Sequence, residues 1–267
     1  MANNAIFLSC MQSVQFGIDP NMIKTRNIWN RFAPNYEEGF VARFYGQLFR
    51  NALIEQMVYL EPVLARGFYC VDAGTAVGNN IPLFLKYGAS CVLGLDMSTE
   101  MLAINSKKMQ ASGFGHRVIL KEHDLTREKI PVNDGSVGLV ANQIVSCYLT
   151  AIQRNYCFAE FGRVVRKGGF VLGSGLGPNF RLPAAVQDNQ KREGHMDLLR
   201  DVVGPLLGEI QYLIKAGEIS PASSEEMRQL LEASGFEVVY IDTPPGLENP
   251  EDRDDPDYVV RWLGRKL

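Results

Sequence analysis

The chain has 267 residues, 46% of them hydrophobic and 21% charged, with 27 basic and 30 acidic side chains and a formal net charge of -3. That balance belongs to a soluble globular enzyme of one large domain, or one domain with a sizeable insertion, and excludes a disordered chain, a collagen and a coiled coil. It leaves no basic excess for general nucleic-acid binding, and the apolar stretch Ala5 to Cys10 is far short of the roughly 20 residues that span a membrane.

The first sixty-odd residues read as helical, because apolar residues recur at three and four through Phe40, Phe44, Leu48, Leu53, Met57 and Leu60. Pro62 and Gly67 end this lead-in. Short β-rich runs then alternate with helical stretches. Phe68 to Asp72 is the first strand, followed by a helix from Ile81 to Tyr87 that Gly88 terminates. Cys91 to Asp96 is the second strand, and Ser98 caps a helix to about Ala111. Arg117 to Lys121 and Val137 to Asn142 are the third and fourth strands, with a helix from about Thr150 to Val165. Lys167-Gly-Gly169 turns the chain into a fifth strand, Phe170 to Ser174.

A glycine- and proline-rich segment from Gly175 to Ser220 interrupts the alternation, with a helical pattern from Met196 to Ala216 inside it. Ser223 to Glu226 has the spacing of a capping box. Phe236 to Asp242 is the sixth strand and Tyr258 to Leu263 the seventh, reached through the acidic loop Leu247 to Asp257. No crossover helix fits between these two, so they pair antiparallel. The expected fold is α/β: a mostly parallel seven-stranded sheet with a terminal antiparallel hairpin and helices on both faces. Residues 1–66 form an N-terminal helical cap, and residues 67–267 form the main domain, with 175–220 as a lid insertion.

Val71-Asp-Ala-Gly-Thr-Ala-Val-Gly78 directly follows the first strand. Its glycines permit a tight turn and close backbone approach to a ligand. A dinucleotide fingerprint needs glycines two and then three apart, but Ala76 and Asn79 stand at those places after Gly74. The stretch instead resembles the acidic-x-G-x-G-x-G motif of class I S-adenosylmethionine-dependent methyltransferases, with Ala76 at the middle glycine.

Further residues carry the same resemblance in order. Asp96 ends the second strand, where the family places a carboxylate on the ribose hydroxyls; an acceptor-only side chain suits a vicinal diol. His123-Asp-Leu125 follows the third strand, where the family's aspartate accepts from the adenine amino group and the next backbone N–H meets the ring. Lys167-Gly-Gly169 resembles the family's turn into the fifth strand. The likeness spans roughly Asn30 to Leu267 and implies a Rossmann-like fold, S-adenosyl-L-methionine as cofactor, and Asp72, Gly74, Thr75, Ala76, Gly78, Asp96, Met97, Asp124, Leu125 and Asn142 around it.

Trp29-Asn-Arg-Phe-Ala-Pro-Asn-Tyr36 resembles the aromatic entry of small-molecule methyltransferases, which brings Tyr36 and Arg43 to the methionine end. Ala141 to Val145 lacks the N/D-P-P-Y/F signature of enzymes acting on exocyclic or amide nitrogens, so adenine, cytosine and glutamine-amide acceptors are not expected.

The implied reaction is methyl transfer to a small-molecule acceptor by in-line displacement. The alternatives are a cyclase or isomerase that binds the cofactor without using its methyl, a cofactor-binding regulatory subunit, and an NAD oxidoreductase. His195, in the insertion, is the candidate base, read against an exposed surface histidine; His123 is read as structural and Cys147 as core packing. Asp96 and Asp124 also have plain readings, as a helix cap and a solvated turn residue. The apolar face with Leu198, Leu199, Val202, Leu206 and Leu207 closes over the acceptor, packs on the core or forms a homodimer. Five cysteines without CxxC spacing indicate a reducing, cytoplasmic setting. Three histidines without ligand spacing give no expectation of a metal.

Overall fold

A computed structural model describes residues 26–27, 29–31, 33–36, 40–180, 220–245 and 254–267, with side chains throughout these except at 35 and 40–45. Its centre is a seven-stranded sheet in the order β3-β2-β1-β4-β5-β7-β6. The strands are β1 (Tyr69–Ala73), β2 (Cys91–Asp96), β3 (Val118–Glu122), β4 (Val137–Gln143), β5 (Val165–Leu176), β6 (Phe236–Asp242) and β7 (Val259–Lys266). The first five are parallel, and β7 lies antiparallel between β5 and β6.

Side chains alternate across a strand, so each strand feeds two cores. One face buries Val71, Leu93, Val140 and Val171 with Phe158, Phe161 and Trp262. Here α4 (Ala151–Val164) and α5 (Ser224–Ala233) cover the sheet. The other face buries Cys70, Val92, Leu139 and Leu172 beneath α1 (Phe40–Leu60) and α2 (Ile81–Lys86). Fully burying a large apolar side chain contributes about 1.5–3 kcal/mol, so these two layers dominate the stability of the sheet.

Local signals set the helix starts. Ser98 accepts from Met101 N–H at 3.2 Å and begins α3 (Thr99–Ala111). Thr150 with Gln153, and Ser223 with Glu226, form complete capping boxes on α4 and α5. Lys167-Gly-Gly169 departs from the expected turn before β5. Strand pairing already begins at Val165, opposite Val137, and resumes at Phe170 opposite Leu139. The extra residues are accommodated as a bulge, with Gly168 at φ +73°.

Candidate active site

The turn after β1 is fixed by its own side chains. Thr75 Oγ1 donates to Asp72 Oδ2 at 2.7 Å, and Asn105 Nδ2 reaches the carbonyl of Ala76 at 3.1 Å. Gly74 and Gly78 have φ of +83° and +80°, and Ala76, between them, has φ +45°. The alanine therefore sits in the left-handed region that glycine enters freely, at a cost of roughly 1–2 kcal/mol. A Cβ on Gly74 would come within 2.2 Å of Val145 Cγ2, and one on Gly78 within 2.2 Å of Asn105 Oδ1. Protein neighbours, rather than open space, fill the room these glycines provide.

Asp72 is buried, and burial pushes its carboxyl up to about 7; the Thr75 hydroxyl opposes this and nearby Asp96 adds to it. At the end of β2, Asp96 Oδ2 accepts the N–H of Ala76 and Oδ1 that of Ser98, both at 2.9 Å. Burial raises its pKa, while these amides and that of Met97 hold it down. Asp96 thereby clamps the glycine turn to β2. It remains half-buried, with lone pairs left at the rim.

His123 donates its N–H to the carbonyl of Asp96 at 2.9 Å, so β3 ends beside β2. Its Nδ1 pairs with Glu128 at 3.2 Å, and burial lowers its pKa. Asp124 is turned inward. Its Oδ1 accepts from Thr126 N and Oγ1, at 3.0 and 2.6 Å, and Oδ2 pairs with Arg127 Nε at 2.6 Å. Leu125 packs in the core beside them.

The end of β4 is built differently. Asn142 donates Nδ2 to the Ala73 carbonyl at 3.2 Å, and its buried Oδ1 has no hydrogen-bond partner among the described residues. Gln143 accepts from Ser174 Oγ and donates to Gln56 Oε1, and buried Gln56 holds the Trp262 carbonyl at 2.9 Å. Ile144 then takes φ +57°, a strained conformation for a β-branched residue. Its N–H is fixed by the Ser174 carbonyl at 2.7 Å, and this kink carries Val145 against Gly74. A one-turn helix, Ser146–Tyr148, follows. Buried Arg154 secures it by bonding the carbonyls of Ser146, Leu149 and Ser220.

Arg26, Trp29, Asn30 and Tyr36 lie beside these strand ends. Arg26 pairs with Glu122 at 3.0 Å, Asn30 Oδ1 accepts from Ser98 Oγ at 2.6 Å, and the Trp29 ring meets Tyr148. Tyr36 packs against Ala33, Val77 and Met101 beside Ala76. The structure thus gathers Tyr36, Asp72, Thr75, Ala76, Asp96 and Asn142 at the carboxyl ends of β1, β2 and β4. Arg43 belongs to α1, but its side chain is outside the described residues, as is His195. Sequence reasoning missed Asn105, Val145, Gln56 and Gln143. Only Asn105 left a signal: a polar residue on the Met101–Met109 core stripe of α3.

Residues 70–169 match a family model described as a methyltransferase domain. The matched stretch runs from β1 into β5 and takes in the glycine turn, Asp96, Asp124 and Asn142. No curated protein sequence matches the chain. Among solved structures, it is similar to geranyl diphosphate C-methyltransferase from Streptomyces coelicolor, in complex with Mg2+, geranyl diphosphate and S-adenosyl-L-homocysteine. That match has TM-score 0.54 and 14% identity over 80% of this chain and 77% of the other. The [4+2]-cyclase SpnF matches with TM-score 0.53 and 15% identity over 81% and 82%. A Haloferax volcanii complex of the Trm112 methyltransferase activator with its methyltransferase-like partner gives 0.59 and 16% over 89% and 96%. At these identities the structural likeness shows the fold.

The strand ends present two kinds of acceptor. Asp96 presents acceptor lone pairs for a diol, and the orphan Oδ1 of Asn142 is an acceptor that matches an amino donor. Among the described residues, no helix is long and apolar enough to cross a membrane.

Proposed function

We propose that the protein transfers a methyl group from S-adenosylmethionine to a small-molecule acceptor lying over the carboxyl ends of β4 and β5. The observation that carries this reading is the Asp96 carboxylate, bonded to the Ala76 N–H and so locked to the glycine turn. When bound, the cofactor supplies a methyl group on a sulfonium, open to in-line displacement. Asp96 accepts from the ribose hydroxyls, with Met97 beside it. Asn142 accepts from the amino end near Asp72, and Gly74, Thr75, Ala76 and Gly78 shape the turn. Leu125 and Asp124 border the adenine, with Arg127 sharing the Asp124 carboxylate. Tyr36 and Arg43 are assigned to the methionine end and His195 to the base by the family resemblance. Trp29 and Tyr36 exclude water from this end, and the lid expected at 175–220 falls mostly outside the described residues, at 181–219.

The chemistry asks chiefly for alignment of nucleophile and methyl at about 3–3.5 Å. The neutral amides and hydroxyl at Asn142, Gln143 and Ser174 suit that role. Calorimetric titration with S-adenosylmethionine tests the cofactor site, and Asp96→Ala should weaken it. Release of S-adenosylhomocysteine on adding a small-molecule extract tests transfer. Consumption of a substrate without that release would favour the second reading, a non-methylating cyclase, which the likeness to a [4+2]-cyclase supports.

A further inference from the structure

Carboxylates stand after two neighbouring strands, and the structure uses them differently. Asp96, at the end of β2, accepts one amide N–H on each oxygen and stays half-buried. Asp124, just after β3, is only 1% exposed. Its Oδ1 accepts twice, from the Thr126 N–H at 3.0 Å and from Thr126 Oγ1 at 2.6 Å, which fills both lone pairs. Its Oδ2 lies 2.6 Å from Arg127 Nε and is closed off from solvent. The main chain of Asp124 is equally engaged. Its N–H donates to Glu128 Oε2 at 3.1 Å, and its carbonyl accepts from the N–H of Glu128 at 3.0 Å and of Arg127 at 3.3 Å.

These contacts build the start of the connection between β3 and β4, residues 123–136, which contains no helix. A helix would pair its own main-chain groups, whereas an irregular connection depends on side chains to do so. Glu128 Oε2 also takes His123 Nδ1 at 3.2 Å, and the Tyr156 hydroxyl on α4 donates to the Arg127 carbonyl at 2.9 Å. Asp124 is the residue through which these contacts meet. Turning its carboxylate outward to a ligand would strand the donors of Thr126 and Arg127, so the new bond would replace old ones rather than add to them.

A ligand amino group needs an accepting atom within its reach. The rim of Asp96 offers one, and the oxygens of Asp124 do not. We propose that Asp124 is a positioning residue that sets the course of the β3–β4 connection beside the cofactor, and that it leaves the 6-amino group of the adenine unread. The site then takes a purine without that amino group as readily as adenine itself. This inference rests on the cofactor reading above, and it departs from the amino-group role that the family resemblance gives Asp124.

The test is calorimetry on the full chain with two ligands, S-adenosylhomocysteine and its analogue with hydrogen in place of the 6-amino group. The two affinities should agree within about threefold. A hydrogen bond from the amino group to a carboxylate would weaken the analogue about tenfold or more, and that result would overturn the proposal. Asp124→Asn should lower the unfolding temperature and change both affinities by the same factor, because the residue acts through the connection it holds. Loss confined to the amino-bearing ligand in a folded Asp124→Asn variant would overturn the proposal as well. If that variant does not fold, the comparison of the two ligands on the unsubstituted protein decides alone. Failure of the unsubstituted protein to bind either ligand would defeat the cofactor reading itself, a result distinct from a tenfold preference.

Discussion

The two halves of the sheet finish their strands with different chemistry. β1 and β2 end in carboxylates, Asp72 and Asp96, and His123-Asp124 follows β3, each tied to a neighbouring turn. β4 ends in neutral Asn142 and Gln143, and β5 carries Ser174 beside them, linked through Gln56 to the hairpin strand β7. Fixed acceptors suit a ligand with a diol and an amino group. A neutral shelf leaves the other ligand to be positioned by shape and by a few hydrogen bonds. The comparison teaches that the charged half fixes its acceptors through bonds to the turns, whereas the neutral half is tied into the sheet through Gln56; on the proposed function the first holds the cofactor and the second aligns the acceptor.

Gly74→Val is the strongest challenge to the join between the halves. It places a branched side chain at φ +83° and into Val145. A loss of more than about 3 kcal/mol in thermal or denaturant unfolding is expected. Gly74→Ala should be partly rescued by Val145→Ala, which removes the atom in the way; no rescue would mean that the φ alone decides.

The charged half should also show in pH dependence. The Asp72 carboxyl loses its proton near 3.8 when unfolded and near 7 when folded. Between those values the native state holds the extra proton, so stability falls as pH rises through the window and is level above it. A decline on the order of 3 kcal/mol is expected, and Asp72→Asn should flatten it. An unchanged slope in that variant would place the titrating group elsewhere.

Asp96→Ala should cost about tenfold or more in S-adenosylmethionine affinity, since hydrogen bonds to a charged acceptor are worth roughly 1.5–3 kcal/mol. Gln143→Leu probes the neutral half. It strands Gln56 Oε1 and should lower stability by about 1–2 kcal/mol. Calorimetry should find cofactor affinity within about twofold; a drop as large as that of Asp96→Ala would erase the distinction between the halves. The smallest effect is expected from Ala76→Gly, which relieves the left-handed alanine but adds freedom to the unfolded chain. A gain of about 0.5 kcal/mol should appear in chemical unfolding.

What was legible in the sequence follows from the range of the forces involved. Ser98, Thr150 and Ser223 cap helices through bonds to residues three positions on, so local spacing reveals them. Apolar alternation and the glycine turn gave the strands, their carboxyl ends and Asp96, because each is written within a few consecutive residues. The placement of β7 between β5 and β6 was not legible, since either edge would satisfy an antiparallel hairpin. Packing of Trp262 over Gly173 belongs to that choice: a Cβ at Gly173 would lie 2.3 Å from the indole.

Tertiary structure alone decided the neutral half and the aromatic rim. Gln56 and Gln143 are 87 residues apart, and the Trp29–Tyr148 pair is wider still. Neither partner carries a mark of the other in its own neighbourhood. Asp124 illustrates the same division. Its position after β3 was readable, but the inward turn toward Thr126 and Arg127 was not. The chain by itself determined which residues form strands, caps and tight turns, because those depend on backbone conformation and short spacing. Which polar groups meet across the strand ends was settled only when the sheet ordered its strands, since buried donors and acceptors choose partners by proximity in space.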